Sequence, residues 1–149
     1  MRILIRFLIW MLPISLLMTL SGCKTVSETE LRVNEGVLDF QSAGISEDLI
    51  ESVKVFNAGQ TLEISEKETI LEILTRLKTI TFTEMQPETN SSGWSTEAPG
   101  SRHLTITLIA EDRSWAISLP LYESDGKTYL APSSCIYLFQ DYWKEVERR

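Results

Sequence analysis

The strongest restriction on the fold of this chain is a strict alternation of apolar and polar residues in its C-terminal half. Leu104, Ile106 and Leu108 alternate with Thr105 and Thr107. Because successive side chains of a strand point to opposite faces, this pattern predicts a strand with one buried face and one face partly in water. Strands of this kind are typical of antiparallel sheets.

Neighbouring segments extend the predicted sheet. Residues 114–121 repeat the alternation after a polar turn at residues 111–113. Residues 124–127 have the sequence Ser-Asp-Gly-Lys, which favours a tight hairpin because Asp and Gly readily adopt positive φ angles. Residues 127–130 then return as another strand. Together these segments predict an antiparallel meander.

An earlier hairpin is predicted before the first helix. Residues 51–56 alternate on Val53 and Val55, and residues 61–64 continue after the turn-forming sequence Asn-Ala-Gly-Gln. Apolar residues between positions 31 and 40 could supply one more short strand.

Two amphipathic helices follow from the spacing of apolar residues. The first is predicted over residues 66–78, with Ser65 as the N-cap and Glu68 completing a capping box. Its apolar stripe consists of Ile70, Ile73, Leu74, Leu77 and Ile80. The second begins after Pro132, with Ser133 as its N-cap. Its stripe consists of Ile136, Phe139, Trp143 and Val146.

These elements predict an α+β domain over residues 48–149. Two helices with one apolar face each need an apolar surface to cover, and the alternating strands supply it. The expected architecture is a two-layer sandwich, in which an antiparallel sheet carries both amphipathic helices packed on one face. Residues 23–47 are polar and acidic, and we expect them to form an N-terminal tether.

A long polar loop is predicted at residues 84–102, which contain two prolines and two glycines. Loops of this length are uncommon inside a compact domain and are usually functional or mobile. Trp94 is the one aromatic residue of the loop. Two interpretations stay open: Trp94 folds back onto the edge of the domain, or it is an exposed contact for a ligand or a partner.

The first 22 residues have the pattern of an export signal. Arg2 and Arg6 form a basic start without acids, and residues 7–20 carry no charge. A membrane span needs about 20 apolar residues. The uncharged run is shorter and contains Pro13, which weakens a long helix. The segment therefore favours a signal peptide over a permanent membrane helix.

The sequence Leu20-Ser21-Gly22-Cys23 follows this apolar run directly. It resembles the lipobox of bacterial lipoproteins, in which a leucine and two small residues precede a cysteine. The resemblance implies that the chain is cut before Cys23 and that the Cys23 thiol carries a diacylglyceryl group, which anchors the chain in the lipid bilayer. It covers only the signal segment. The alternative is an ordinary signal peptide, with Cys23 as an incidental residue.

The layout after Cys23 is similar to small extracytoplasmic domains of Gram-positive lipoproteins that have no assigned activity. This second resemblance is one of pattern and implies no site residues. The residue after Cys23 is Lys24, whereas some Gram-negative lipoproteins that are retained in the inner membrane have Asp at this position. The resemblance thus implies the outer face of the cell membrane or, as the alternative, the outer membrane of a Gram-negative bacterium.

The charge of the chain excludes one class of partner. Its net charge is −7, and without the first 22 residues 12 basic residues face 21 acidic ones. Affinity for nucleic acid depends largely on Lys and Arg that neutralise phosphates, so we expect no nucleic-acid partner. Anionic lipid headgroups also repel an acidic domain. Surface charge therefore does not explain attachment to a membrane, and the lipid anchor does.

Residues that carry chemistry are few. His103 is the single histidine, and Cys23 and Cys135 are the two cysteines, so a metal site built on His and Cys lacks ligands. We expect Cys135 to be a small buried apolar residue. The chain has no Gly-x-Ser-x-Gly elbow and no glycine-rich phosphate loop. The sequence therefore predicts no catalytic residues, no metal site and no cofactor.

The functional prediction is a membrane-anchored, non-enzymatic module for contacts with an unknown protein or peptide. One alternative is a module that binds a small ligand or a cell-wall glycan, for which Trp94, Trp115 and several tyrosines need to be exposed and aligned. A further alternative is a hydrolase that uses two carboxylates facing each other in a cleft.

Overall fold

The computed structural model describes residues 27–57, 59–86 and 103–147. Within these ranges the chain forms ten short strands and two α-helices. The strands are β1 (Ser27–Glu28), β2 (Val33–Asn34), β3 (Val37–Leu38), β4 (Ser52–Asn57), β5 (Gln60–Ile64), β6 (Thr83–Glu84), β7 (Leu104–Ile109), β8 (Arg113–Leu119), β9 (Leu121–Ser124) and β10 (Lys127–Leu130). The α-helices are α1 (Lys67–Lys78) and α2 (Gln140–Glu147), and 3-10 helices cover Glu47–Leu49 and Ser133–Phe139. The fold is a sheet-rich mixture of α and β elements.

Five strands form the larger sheet, in the order β1-β8-β7-β4-β5. All neighbours in it are antiparallel except β1, which runs parallel to β8. The strands predicted at residues 51–56, 61–64 and 103–110 are confirmed to within one residue at each end.

One face of the larger sheet is closed to solvent. Ile106 and Leu108 of β7 are fully buried, as are Trp115 and Ile117 of β8. The register pairs Leu108 with Trp115 and Ile106 with Ile117, so these side chains lie side by side on the same face. The one-sided burial that the alternation predicts is confirmed.

The strand predicted at residues 114–121 is divided between two sheets. β8 ends at Leu119, and Pro120 connects it to β9 through a cis Leu119–Pro120 peptide bond. Proline has no backbone N–H to donate to a strand ladder, which explains why β8 does not continue through it. β9 and β10 form a hairpin with β6 on the other side of β10. The sequence did not indicate this second, three-stranded sheet.

Two tight turns contain residues with positive φ. Asp125 and Gly126 have φ angles of 51° and 70°, so the hairpin turn predicted at residues 124–127 is confirmed. Glu35 and Gly36 have φ angles of 51° and 80° and connect β2 to β3. β2 and β3 therefore form a short hairpin in the segment for which the sequence predicted a single strand.

Both helices begin without the serine caps that the sequence predicts. The N-cap of α1 is Glu66, whose Oε2 accepts a hydrogen bond of 2.8 Å from Thr69 Oγ1. The Ser65 prediction was therefore wrong by one residue. The second helical segment starts as a 3-10 helix with Pro132 in the N-cap position and no side-chain cap, so the prediction for Ser133 was wrong as well. Proline has no side-chain oxygen, so no side chain at this N-cap accepts a hydrogen bond from the first N–H groups of the helix.

The segment before residue 48 belongs to the fold rather than to a tether alone. β1 pairs with β8 from Ser27 onward, and the side chains of Leu31, Leu38 and Phe40 are buried in the common core. This is hard to foresee from the sequence, because the apolar residues of this segment follow no regular period. Residues 27–47 therefore belong to the fold, about 20 residues ahead of the predicted domain boundary.

The predicted loop at residues 84–102 starts later than expected. Glu84 belongs to β6, and the backbone N–H of Met85 donates a hydrogen bond of 2.8 Å to the carbonyl of Thr128. Residues 87–102, which include Trp94, lie outside the described ranges.

The two helical segments contact each other through polar side chains. Tyr142 Oη donates a hydrogen bond of 2.9 Å to Glu72 Oε2, and the Arg76 guanidinium donates to the carbonyl of Leu138. Since Glu72 precedes Arg76 while Leu138 precedes Tyr142, the segments run antiparallel. The Tyr142 hydrogen bond and the nearby Arg76 charge lower the pKa of Glu72.

Tyr122 ties the N-terminal segment to the second sheet. Its side chain is buried, and its hydroxyl donates a hydrogen bond to the carbonyl of Leu31. Burial raises the pKa of Tyr122 to about 12.

This arrangement predicts how stability depends on pH. An unfolded tyrosine ionises near its ordinary pKa of 10, whereas Tyr122 holds its proton in the fold to about 12. The contribution of Tyr122 to the free energy of unfolding should therefore be constant below pH 10 and fall as the pH rises toward 12. Tyr122→Phe should weaken this fall and lower stability at neutral pH by about 1 kcal/mol, because the Leu31 carbonyl loses its donor.

Urea unfolding at several pH values measures both effects. Tyr137→Phe is the matched control, because Tyr137 is 64% exposed. If Tyr122→Phe leaves the alkaline loss of stability as large as in the wild type, the role given to this hydroxyl is wrong.

Candidate functional site

The two site residues that the sequence singles out lie outside the described ranges. Cys23 precedes Ser27, the first described residue, and Trp94 falls within residues 87–102. Both therefore stay predictions. The first described element after Cys23 is β1, which begins four residues further along the chain.

Cys135 is a buried thiol. It is 5% exposed, and burial raises its pKa to about 11. A thiol with this pKa is protonated near neutral pH, and the thiolate is the form that reacts. The expectation that Cys135 is a small buried residue is confirmed.

The other groups expected to matter for metal or acid–base chemistry are spread out. His103 is exposed and lies directly before β7. Among the described residues, no group of three or more His, Cys, Asp and Glu side chains is arranged to hold a metal ion. No helix in these ranges has the length and apolar character needed to cross a bilayer.

The aromatic side chains of the C-terminal third are mostly part of the core. Trp115 and Phe139 are fully buried, and Tyr122 and Tyr129 are nearly so. The Arg113 guanidinium lies over Trp115, and its carbon Cζ is 5.5 Å from the centre of the Trp115 ring. Stacking on a sugar needs an exposed ring, so these four side chains are not available for it.

A polar groove runs beside β1 and the β9–β10 hairpin. It consists of two adjoining hollows of about 410 and 280 Å³, and Glu30 and Glu123 line both. Asp125 donates its backbone N–H to the Glu30 carboxylate, and its own carboxylate lies 3.3 Å from Arg32 Nε. Lys127, also at the groove, forms an ion pair of 2.9 Å with Glu84. Glu30 and Lys127, two charged residues of the groove, thus each have a partner in the fold.

One polar atom near the groove has no partner. Ser124 lines the larger hollow, its residue is 1% exposed, and its hydroxyl makes no hydrogen bond within the described part of the chain. An unsatisfied buried hydroxyl costs about 1–3 kcal/mol, so it calls for an explanation such as a bound polar molecule. The sequence predicted the turn that contains Ser124 but not its burial.

A few large apolar side chains are exposed. Tyr137 and Leu138 are adjacent in the second 3-10 helix and are 64% and 39% exposed. Phe56 projects from β4 on the sheet face opposite to the core and is 45% exposed. Tyrosine is enriched in the energetically important parts of protein interfaces, and Tyr137 is the most exposed of these large side chains in the described ranges.

The Ser124 hydroxyl provides a test of whether the groove is occupied. If nothing satisfies this hydroxyl, Ser124→Ala should raise the free energy of unfolding by about 1 kcal/mol, because it removes an unpaired buried polar group. Urea unfolding of the purified protein measures the change. A loss of stability in Ser124→Ala would mean that the hydroxyl has a partner in solution.

Ser118→Ala is the matched control for this measurement. Ser118 is exposed on β8, and its hydroxyl lies 3.3 Å from Thr105 Oγ1. We expect this variant to gain no stability.

No protein-family model matches the chain, and neither a curated protein nor a solved structure is similar to it at a significant level. The role of the chain has to follow from its own residues.

Proposed function

We propose that this chain is a lipoprotein anchored through Cys23 to the extracytoplasmic face of a cell membrane, and that its folded domain is a non-enzymatic module for contacts with a protein or peptide. The observation that carries the proposal is the sequence Leu20-Ser21-Gly22-Cys23 directly after an uncharged apolar run. The outer membrane of a Gram-negative bacterium is the alternative location.

The anchor accounts for membrane attachment of an acidic domain. Each methylene buried in the bilayer contributes about 0.8 kcal/mol, and two acyl chains hold a protein durably where one does not. The excess of acidic residues after position 22 works against binding to anionic headgroups. Lipid on Cys23 is thus a sufficient anchor, and the protein surface need not contribute.

The contact role is supported by Tyr137 and Leu138. These side chains are exposed next to each other, while the Leu138 carbonyl is held by Arg76 of α1. A fixed backbone under an exposed aromatic side chain lowers the ordering cost of binding. The Cys135 thiol, which is buried and has a raised pKa, is no nucleophile for an enzymatic role.

A second candidate function is binding of a small polar ligand in the groove beside β1. The unpartnered Ser124 hydroxyl is the observation that favours it. A glycan-stacking mode is less well supported, because Trp115 is fully buried. Hydrolysis by paired acids has no distinct support, since Glu30 and Glu123 are exposed.

We also propose that α1 and α2 together cover the buried face of the larger sheet as one layer of a two-layer sandwich. The antiparallel contact between the helical segments through Glu72 and Arg76 supports this arrangement. Contacts of α2 with β4 and β5 also support it.

Metabolic labelling with a radioactive fatty acid tests the anchor. The wild-type protein should incorporate label, and Cys23→Ser should not. Cys135→Ser is the matched control and should be labelled like the wild type, because its thiol is buried. Equal labelling of wild type and Cys23→Ser would refute the lipidation of Cys23.

Capture from detergent-solubilised membranes after cross-linking tests the contact role. Tyr137→Ala should reduce the yield of the main cross-linked partner several-fold, because it removes an exposed aromatic contact. Ser134→Ala, an exposed neighbour in the same 3-10 helix, is the control and should leave the yield unchanged. Unchanged capture by Tyr137→Ala would exclude this surface as the contact.

A further inference from the structure

We propose that the anchored domain faces the bilayer with one defined end of its larger sheet, the end at which β1 begins. We call this end the near end; it comprises Ser27, Ile109, Arg113 and the turn residues Glu111 and Asp112. The proposal rests on the lipidation of Cys23 proposed above, and it specifies which surface then meets the lipid headgroups.

Ser27 is fixed to the fold by strand pairing. Its backbone N–H donates a hydrogen bond of 3.2 Å to the carbonyl of Asp112, and it lies opposite Arg113 in the parallel register. Two residues later, the N–H of Thr29 donates a hydrogen bond of 2.8 Å to the carbonyl of Ser114. Ser27 therefore has a definite position beside the turn between β7 and β8.

The distance from Ser27 to the anchor is limited by covalent geometry. Cys23 lies four residues before Ser27, and a chain spans at most about 3.3–3.6 Å per residue. The two Cα atoms can thus be no more than about 14 Å apart. Because the acyl chains on Cys23 lie in the bilayer, Ser27 is held within this distance of the headgroup region.

The strand directions identify the opposite end of the sheet, which we call the far end. At the near end Ile109 pairs with Ser114, and four residues earlier on β7 Thr105 pairs with Ser118. Phe56 of β4 lies opposite Thr105 on one side and opposite Thr61 of β5 on the other. At about 3.4 Å per residue, the far end is about 14 Å from the near end along the strands.

The acidic near end is held close to the bilayer by the Cys23 link and not by its charge. Glu28, Glu111 and Asp112 are exposed there, and anionic headgroups repel carboxylates, so this end does not sink among them. The outer face of the sheet is mostly polar, with Lys54 and Glu63 3.9 Å apart across β4 and β5 and Phe56 as an exposed apolar side chain. One apolar side chain on a polar face gives little affinity for the bilayer, so the domain gains little by lying flat on it.

Spin labels at the two ends test the proposal. The lipidated protein with Cys135→Ser is purified in two forms, labelled at Asp112→Cys or at Thr61→Cys, which are both exposed positions. Each is reconstituted in phosphatidylcholine vesicles that contain a gadolinium-chelating lipid. The near-end label at position 112 should show a relaxation enhancement several-fold larger than the far-end label at position 61.

A longer link provides the matched control. Insertion of about 12 Gly and Ser residues between Thr25 and Val26 adds an r.m.s. length of about 19 Å and should reduce the difference between the labels. Mass analysis of the N-terminal peptide distinguishes a failure of the proposed orientation from a failure of the proposed anchor. Equal enhancement at both positions with a confirmed diacylglyceryl group on Cys23 overturns the orientation alone. Absence of that group overturns the anchor and the orientation together.

Discussion

The packing of apolar side chains on the buried face of the larger sheet is the interaction on which the rest of the structure depends. Trp115 of β8, Leu108 of β7 and Leu77 of α1 are all fully buried, as is Phe139 just before α2. These side chains come from separate elements between residues 77 and 139 and meet in one core. Burial of apolar surface contributes about 25 cal/mol per Å², which makes this shared core the main source of stability. The exposed ion pairs, such as Lys54 with Glu63, contribute little by comparison.

The parts of the fold that the sequence predicts correctly are those in which apolar residues recur at a regular spacing over many residues. β7 alternates over six residues, and α1 repeats its apolar positions over three turns, so each pattern is long enough to be unambiguous. β1, β2, β3 and β6 have two residues each and can show no period. β1 and β6 form because the distant strands β8 and β10 pair with them, whereas β2 and β3 pair with each other across a two-residue turn. Pairing with a distant strand leaves no local pattern in the sequence.

The candidate sites also differ in whether the local sequence reveals them. Cys23 belongs to four consecutive residues whose meaning is local, so the sequence alone suggests it. The groove depends on Glu30 and Glu123, which are far apart in the chain and meet because the N-terminal segment lies beside β9, where the Leu31 carbonyl accepts the Tyr122 hydroxyl. The turn at residues 124–127 predicts the pairing of β9 with β10, but it does not predict that Ser124 is buried. Trp94 stays a prediction from its loop.

In the anchored state proposed above, the pairing of β1 with β8 would connect the fold to the membrane. Had the fold begun near residue 48, a link of about 25 residues would let such a domain turn freely above the bilayer. Pairing at Ser27 limits that link to at most four residues, so the position of the domain would depend on its own strand directions. Phe56 lies at the far end of the sheet. In the proposed orientation, a partner that contacts Phe56 would approach from the solution side, whereas a partner at Asp112 would lie in or on the same membrane.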